Sequence, residues 1–287
     1  MKHKRYMVIT PARDEERFLP FLIESMVRQT VAPQQWIIIN DGSADATGIL
    51  ADAAANDYPW IAPRHLERGR VRKRGGASIV MAHLPPEAWR DVDFILRLDA
   101  DISFGPRFVE SLMVEFERDP TLGIAGARLL ERRGRELRSD HLPSFHTRGA
   151  TKMYSRECFE AIGGLEAGPG WDTIDETRAM MRHFRTRSFP HITAIHHRPL
   201  GAADGRWRVL SAGGKAAYHA GYSPLFIAAR AAKRGLSAPF VLGGILLLSG
   251  YVTAYMRAER PTAEPELVRF VRREQLRRLL FRESLWV

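Results

Sequence analysis

Two aspartates separated by one residue, Asp99 and Asp101, follow an apolar run over residues 94–98. Residues i and i+2 of an extended chain point to the same side, so both carboxylates can aim at one point beyond a buried strand. Two hard oxygen ligands at such a point suit Mn²⁺ or Mg²⁺, which commonly complete their shells with substrate phosphates. Asp is also common in turns, so a plain strand-ending turn is the alternative to a metal site.

Three more acids, Asp172, Asp175 and Glu176, lie at the predicted start of a helix. One of them can act as a carboxylate general base that faces the metal. Acids in the first turn of a helix are also favoured by the helix dipole alone. The residue types therefore predict a base in this group without selecting one.

Two histidines and an arginine follow a predicted strand at 192–195. Either His196 or His197 can complete a metal shell, and Arg198 can meet a phosphate. A single histidine is more often structural than a ligand, so this is the weaker part of the metal prediction.

Strands alternate with helices along the first part of the chain, which predicts a parallel sheet. Besides 94–98 and 192–195, strands are predicted at 6–10, 36–39, 122–130 and 151–154. Helices are predicted at 18–30, 44–56, 77–84, 108–117, 156–162 and from 172 onward, with a mobile loop at 131–146. Open sheets of this kind bind ligands at the carboxyl ends of their strands.

The loops after the first two strands carry acids at that edge, Glu15 and Asp41. Both can accept hydrogen bonds from a base or a ribose, although a turn and a helix cap also explain Asp41. A later basic loop ends in Arg74 and Gly75, which suits the close approach of a phosphate to a helix N-terminus. No Lys-Ser/Thr pair follows these residues, which excludes a P-loop.

The 287-residue chain has one cysteine, Cys158, so an intrachain disulfide is impossible, as is typical of a reducing compartment. Residues 1–200 carry 29 Lys and Arg against 27 Asp and Glu, whereas residues 201–287 carry 14 against 6. We therefore predict a balanced catalytic domain at 1–200 and a basic helical appendage at 201–287. The apolar run after the basic N-terminus is too short for a signal peptide.

The appendage contains 19 uncharged residues at 238–256, flanked by basic residues on both sides. A single membrane span would place one basic flank outside, against the positive-inside tendency, so we favour a re-entrant or interfacial hairpin. A buried helix or a dimer interface is the remaining alternative. A basic amphipathic helix is predicted at 266–282, which fits an anionic bilayer or a simple solvated face.

The order of these motifs over residues 5–200 resembles the family 2 inverting glycosyltransferases with the GT-A fold. The segments that carry the resemblance are Ala12-Arg13-Asp14-Glu15, Asn40-Asp41-Gly42-Ser43, Arg74-Gly75-Gly76-Ala77, Asp99-Ala100-Asp101, residues 156–164 and Asp175-Glu176. Asn40 stands where the family has its first Asp, and Asp175-Glu176 reverses the family's Glu-Asp order.

The resemblance implies an α/β GT-A domain that transfers a sugar from a nucleoside diphosphate, with UDP favoured, to a hydroxyl group. It implies Mn²⁺ or Mg²⁺ on Asp101 and Asp99, with His197 or His196 as weaker ligands, and a base among Asp175, Glu176 and Asp172. The nucleotide-sugar site would comprise Pro11, Ala12, Arg13, Glu15, Asp41, Arg74, Gly75, Asp99 and Ala100.

The resemblance to bacterial surface-polysaccharide enzymes implies a lipid-linked or saccharide acceptor at the cytoplasmic side of the inner membrane, and no nucleic acid. The Gln-x-x-Arg-Trp motif of processive synthases is absent, which favours single addition. Two alternatives are a sugar nucleotidyltransferase, which lacks support because the 11–16 loop has no glycine, and an inactive membrane-associated scaffold.

Overall fold

The computed structural model of the protein describes residues 4–67, 86–133, 136–139, 143–198, 206–237 and 240–286. Its strands are β1 (Tyr6–Ala12), β2 (Gln35–Asn40), β3 (Ile61–His65), β4 (Phe94–Leu98), β5 (Ile102–Phe104), β6 (Leu122–Arg133), β7 (Glu136–Ser139), β8 (Thr151–Ser155) and β9 (Arg185–His196). Its helices are α1 (Leu19–Val27), α2 (Thr47–Asp57), α3 (Phe108–Arg118), α4 (Arg156–Ala161), α5 (Trp171–Met181), α6 (Arg206–His219), α7 (Pro224–Gly235), α8 (Leu242–Met256) and α9 (Pro265–Leu279). The predicted phosphate residues Arg74 and Gly75, and the helix predicted at 77–84, lie outside the described residues.

One sheet organises the domain, in the strand order β3-β2-β1-β4-β8-β6-β9-β5, with β7 paired to β6. The strands β3, β2, β1 and β4 run parallel, as expected for buried apolar runs linked by helices. Strand β8 is antiparallel to both β4 and β6. The parallel half therefore ends all its strands at one edge, where the loops after β1, β2 and β4 meet.

Apolar side chains cover both faces of the sheet. One core combines Val8, Ile38 and Leu96 with residues of α1, α2 and α3. The other combines the alternate strand residues, such as Ile9 and Ile37, with α4 and part of α5. This two-sided burial explains why these strands read as continuous apolar runs.

The segment 131–146 was predicted as a mobile loop, but its first part belongs to a β-hairpin. Strand β6 continues to Arg133 and pairs antiparallel with β7, so Glu131 lies opposite Arg138 in a hairpin. Two short strands, β3 and β5, were not predicted, because Pro63 interrupts the first and the second has only three residues.

The four C-terminal helices pack on the domain rather than standing apart from it. Ile174 and Met180 of α5 share a core with residues of α6 to α9 and with Trp286. Arg178 of α5 also forms an ion pair with Glu264, just before α9, at 2.8 Å. Helices α6 to α9 therefore support α5, the helix that carries the three candidate bases.

Glycines allow the closest approach between these helices. A Cβ on Gly250 would lie 1.8 Å from the carbonyl oxygen of Ser211, and one on Gly214 would lie 1.9 Å from that of Leu247. Gly214 of α6 and Gly250 of the 238–256 stretch thus form a tight crossing of α6 and α8. In the described part of the chain, no helix combines the length and the apolar character needed to cross a membrane.

Candidate active site

The strand register brings together the two loops that the sequence predicts for the nucleotide site. Ala12, at the end of β1, pairs with Asn40, at the end of β2, and the Asp41 amide donates to the Ala12 carbonyl at 2.8 Å. Pro11 precedes Ala12 on the same strand, opposite Ile39. Pro11, Ala12 and Asp41, three of the residues predicted to contact a nucleotide, thus share one edge of the sheet.

The side chain of Asp41 contacts the loop that follows β1. Its carboxylate accepts a hydrogen bond from Arg13 at 3.1 Å, and both side chains are about one-tenth exposed. Arg13 therefore holds the acceptor oxygens of Asp41 in place at the mouth of the loops.

Asn40, which stands where the family motif has its first aspartate, forms structural hydrogen bonds. Its side-chain oxygen accepts from the Ser43 amide, and its amide nitrogen lies 3.0 Å from Nδ1 of His65. The amide can only donate there, so Nδ1 accepts and Nε2 carries the hydrogen toward Asp52, 2.9 Å away. An aspartate at position 40 lacks this donor, which explains the asparagine.

The acids after β4 form a cluster with one histidine. One ligand atom each from Asp99, Asp101 and His196 lies within 4.8 Å of the others. Strand β9 brings His196 there, because Ile102 of β5 pairs directly with it. Two carboxylates and an imidazole form a donor set that suits Mn²⁺ and accommodates Mg²⁺.

The two ring nitrogens of His196 lie near two different carboxylates, which is consistent with a metal-ligand role. Nε2 lies 3.2 Å from Asp101, while the buried Nδ1 has no hydrogen-bond partner among the described residues and lies 3.9 Å from Glu131. Metal-binding histidines usually orient their other nitrogen toward a carboxylate or a carbonyl. Burial alone would raise the pKa of Asp101, but its hydrogen bond with His196 and the charges of His196 and Arg198 lower it.

The other two residues of this segment take different positions. His197 lies 2.8 Å from the Ser103 hydroxyl through Nε2, and its ring stacks on Phe21. Arg198 donates to Glu15, and its Nε lies 3.8 Å from Asp101. Arg198 therefore bridges the first nucleotide loop and the acidic pair, while His197 packs against α1.

The three acids of α5 divide into two environments. Asp175 and Glu176 are each 1% exposed, whereas Asp172 is partly exposed. Lys152 donates to both oxygens of Asp175, at 2.8 and 3.0 Å, and lies 3.1 Å from Glu176. Asp172 is thus the one acid of the three with access to solvent or substrate.

Further donors complete the buried network. Tyr154 donates to Asp175, and Glu176 accepts from the amide and hydroxyl of Thr147, both at 2.6 Å, with His146 at 2.9 Å. Burial raises the pKa of Asp175 to about 6, against the opposing charge of Lys152. Burial acts the same way on Glu176, but the positive charges of His146 and Lys152 outweigh it and lower its pKa to about 2.

The network also holds the first turn of α5. Lys152 donates to the carbonyl of Asp172 at 2.6 Å. Arg97 forms an ion pair with Asp99 at 2.8 Å, and its guanidinium lies 4.7 Å from the ring centroid of Trp171. Contacts through Arg97 and Trp171 therefore link the cluster of Asp99, Asp101 and His196 to Asp172.

Sequence reasoning missed Arg97, Lys152, His146 and Tyr154 as parts of the site. The available signal was a positive charge, Arg97 or Lys152, inside a predicted strand, because a charge buried in a sheet requires a partner. His146 and Thr147 gave no such signal, since they lie in a polar loop segment.

A comparison with protein-family models identifies the domain. The model described as Glycosyl transferase family 2 matches residues 7–168, more than half of the chain. The chain belongs to this glycosyltransferase family. The matched range includes both nucleotide loops and the acidic pair, whereas the three acids of α5 and His196 lie beyond it.

Solved structures share the fold of this family 2 glycosyltransferase. The mannosyltransferase PcManGT from Pyrobaculum calidifontis, in complex with GDP-Man and Mn2+, has a TM-score of 0.57 at 15% identity, covering 99% of this chain and 89% of its own. TarS residues 1–349 from S. aureus, in complex with UDP-GlcNAc, has a TM-score of 0.58 at 14% identity, covering 96% and 86%. At these identities the likeness establishes the GT-A-like α/β fold. A search of curated proteins gives no match.

Proposed function

We propose that this glycosyltransferase is a metal-dependent, inverting enzyme that adds one sugar from a nucleoside diphosphate sugar, with UDP favoured, to an acceptor hydroxyl. The cluster of Asp99, Asp101 and His196 at the carboxyl edge of the sheet carries the proposal. We further propose a lipid-linked or saccharide acceptor, encountered at the cytoplasmic face of the cell membrane in surface-polysaccharide synthesis.

Asp172 is the general base in this proposal. Asp175 and Glu176 already accept several hydrogen bonds each in a buried network, so neither is free to approach an acceptor. Asp172 begins the same helix, is partly exposed and is tied through Trp171 and Arg97 to the metal cluster. A base must reach the hydroxyl that it deprotonates, and Asp172 alone meets this condition.

The remaining residues bind and orient the donor. Asp41, held by Arg13, accepts hydrogen bonds from the nucleobase, and Pro11 and Ala12 lie beside it at the end of β1. Arg198 lies between Glu15 and Asp101 and offers a positive charge to the diphosphate.

The reaction is a displacement at the anomeric carbon. The acceptor oxygen forms a bond to this carbon as the bond to the diphosphate oxygen breaks, and Asp172 receives the hydroxyl proton. The departing nucleoside diphosphate keeps the electron pair. A divalent ion on the acidic pair and His196 supplies charge neutralisation for that leaving group.

Calorimetric titration with UDP and with GDP, each with and without Mn²⁺, tests the proposal. We expect metal-dependent binding, stronger for UDP, that disappears in Asp101→Ala and weakens in the more conservative Asp101→Asn. The matched control is Asp57→Asn, an exposed acid at the end of α2. Absence of nucleotide binding under every metal condition would contradict the proposal. Release of pyrophosphate from a nucleoside triphosphate in the presence of a sugar 1-phosphate would instead favour a nucleotidyltransferase.

A further inference from the structure

Helix α8 has one exposed apolar face. Leu242, Ile245, Val252 and Met256 are 44%, 55%, 49% and 76% exposed. With Ser249, their spacing of three and four residues places them on one side of the helix. The glycine side of α8 instead packs against α6 and α7.

Three more large apolar residues precede α8 in the sequence and are also exposed. Leu236, Phe240 and Val241 are 79%, 67% and 66% exposed. We call these three residues and the four on α8 the apolar stripe. Large apolar residues exposed in a group on a protein surface commonly mark an interaction site.

Positive charge lies at both ends of the stripe. Arg230 and Lys233 are exposed on α7 before it, and Arg257 and Arg260 are exposed after it. Between residues 224 and 260 the sequence has a single acid, Glu259, whose carboxylate lies 2.7 Å from Lys215 and 2.9 Å from His219. The surroundings of the stripe therefore carry a net positive charge.

The length of α8 and its charges fit one orientation. Fifteen helical residues extend about 22 Å, shorter than the roughly 30 Å hydrocarbon core of a bilayer. A helix that lies parallel to the surface can place both basic ends among lipid headgroups and its apolar face at the acyl boundary.

We propose that the apolar stripe docks on an anionic bilayer, with α8 lying in the plane of the interface. A second copy of the chain is less suitable, because antiparallel pairing of two α8 helices would bring Arg230 and Lys233 of one against Arg257 and Arg260 of the other. The proposal rests on the proposed function in one respect only: docking brings the active site to membrane-bound acceptors.

Vesicle sedimentation with the full chain tests the docking. Vesicles contain phosphatidylcholine alone, or phosphatidylcholine with about one third phosphatidylglycerol, to separate apolar from charge-assisted binding. We expect binding to the anionic vesicles, weakened by high salt, and at least about a tenfold loss of the partition coefficient in Leu242→Ser/Ile245→Ser. The matched control, Ile49→Ser, alters an apolar residue of α2 that is 73% exposed, and should bind like the wild type.

Four further measurements make the result decisive. Melting temperatures show that each variant folds, and Arg257→Gln/Arg260→Gln should weaken binding to anionic vesicles only. The proposal is overturned if the wild type does not bind anionic vesicles or if the Leu242/Ile245 variant binds them equally well. It is also overturned if sedimentation equilibrium shows a dimer that this variant abolishes. Titration of the same proteins with UDP and Mn²⁺ tests the proposed function separately, because nucleotide binding does not require the stripe.

Discussion

Arg97 and Lys152 face each other across the β4–β8 pair, and the indole of Trp171 lies against both cations. The cation-to-centroid distances are 4.7 Å for Arg97 and 5.3 Å for Lys152. Gly149 leaves room for the ring, since a Cβ there would lie 2.7 Å from it. Trp171 directly precedes Asp172, so this arrangement fixes the proposed base relative to the strand that ends in Asp99.

Replacing Arg97 should therefore weaken the link between the Asp99–Asp101–His196 cluster and the proposed base, Asp172. In Arg97→Met, Asp99 loses its ion pair and Trp171 loses one of its two cations. We expect kcat to fall by about 10- to 100-fold, because small displacements of positioned groups have effects of this size. The Mn²⁺ concentration for half-maximal activity should also change. Steady-state assays of UDP release at varied Mn²⁺ measure both.

Arg28→Met is the matched control for that variant. Arg28 pairs with Glu24 on the surface of α1, and both side chains are more than half exposed. Such pairs contribute about 0–1 kcal/mol, so activity and metal dependence should be unchanged. Equal kinetics for Arg97→Met and Arg28→Met would show that the link between Asp99 and Trp171 has no positioning role.

Substitutions within α5 should separate catalysis from stability. Asp172→Asn removes the proposed proton acceptor at a partly exposed position, so kcat should fall by about 10²- to 10⁴-fold while UDP affinity and melting temperature stay near wild type. Asp175→Asn instead disturbs the buried contact with Lys152 and should lower the melting temperature. Full activity in Asp172→Asn would remove this residue from the proposed mechanism.

Much of the catalytic half was predictable because its signals are local. The runs ending at Asn40 and Leu98 are buried on both faces, so their apolar pattern is continuous and the loops after them are unambiguous. The short strand Ile102–Phe104 had no such pattern. Its pairing with β9 is a tertiary contact, and it is this contact that brings His196 to the acidic pair.

The choice among the three acids of α5 could not be made from sequence. Their spacing alone does not show which side of the helix is buried, because Lys152, the partner that buries Asp175, is 23 residues away. The two histidines posed the same problem, since consecutive strand residues point to opposite sides and the register selects which one meets the metal cluster. Burial and register, both tertiary properties, carry this information.

Lys152 should matter for stability beyond the loss of one charge. In Lys152→Met, Asp175 loses its cationic partner, and Glu176 keeps the contact with His146. Removing one partner of a buried ion pair typically costs about 3–5 kcal/mol of unfolding free energy. Urea denaturation measures the loss, and Lys233→Met, an exposed lysine on α7, is the control. A difference below about 1 kcal/mol would contradict the assigned network.

The pH dependence of stability should report on His146. Burial alone lowers the pKa of His146, but the charge and hydrogen bond of Glu176 outweigh it and raise the pKa above 6.5. The folded state therefore binds this proton more tightly than the unfolded chain does. The stabilisation is complete below pH 6.5 and is lost as the pH rises through the folded pKa.

His146→Gln provides the comparison for this effect. Glutamine keeps a hydrogen-bond donor for Glu176 and does not titrate, and His196 titrates in both proteins. Unfolding free energies, measured by urea denaturation at a series of pH values above 6, should decrease more steeply in the wild type than in the variant. Parallel curves would show that His146 has the same proton affinity in the folded and unfolded chains.

The crossing of α6 and α8 should not tolerate a methyl group. In Gly250→Ala, the added Cβ would lie 1.8 Å from the Ser211 carbonyl oxygen, so the two helices must move apart. Overpacking of this kind costs about 1–3 kcal/mol. Gly105→Ala is the control, because nothing lies within 4 Å of a Cβ at that position. Helices α6 and α8 share a core with α5, so the losses of stability and of activity should occur together in Gly250→Ala. Thermal unfolding followed by circular dichroism measures the first, and UDP release measures the second. An unchanged melting temperature would mean that the two helices are not in close contact, and would remove the support that they give to the helix carrying Asp172.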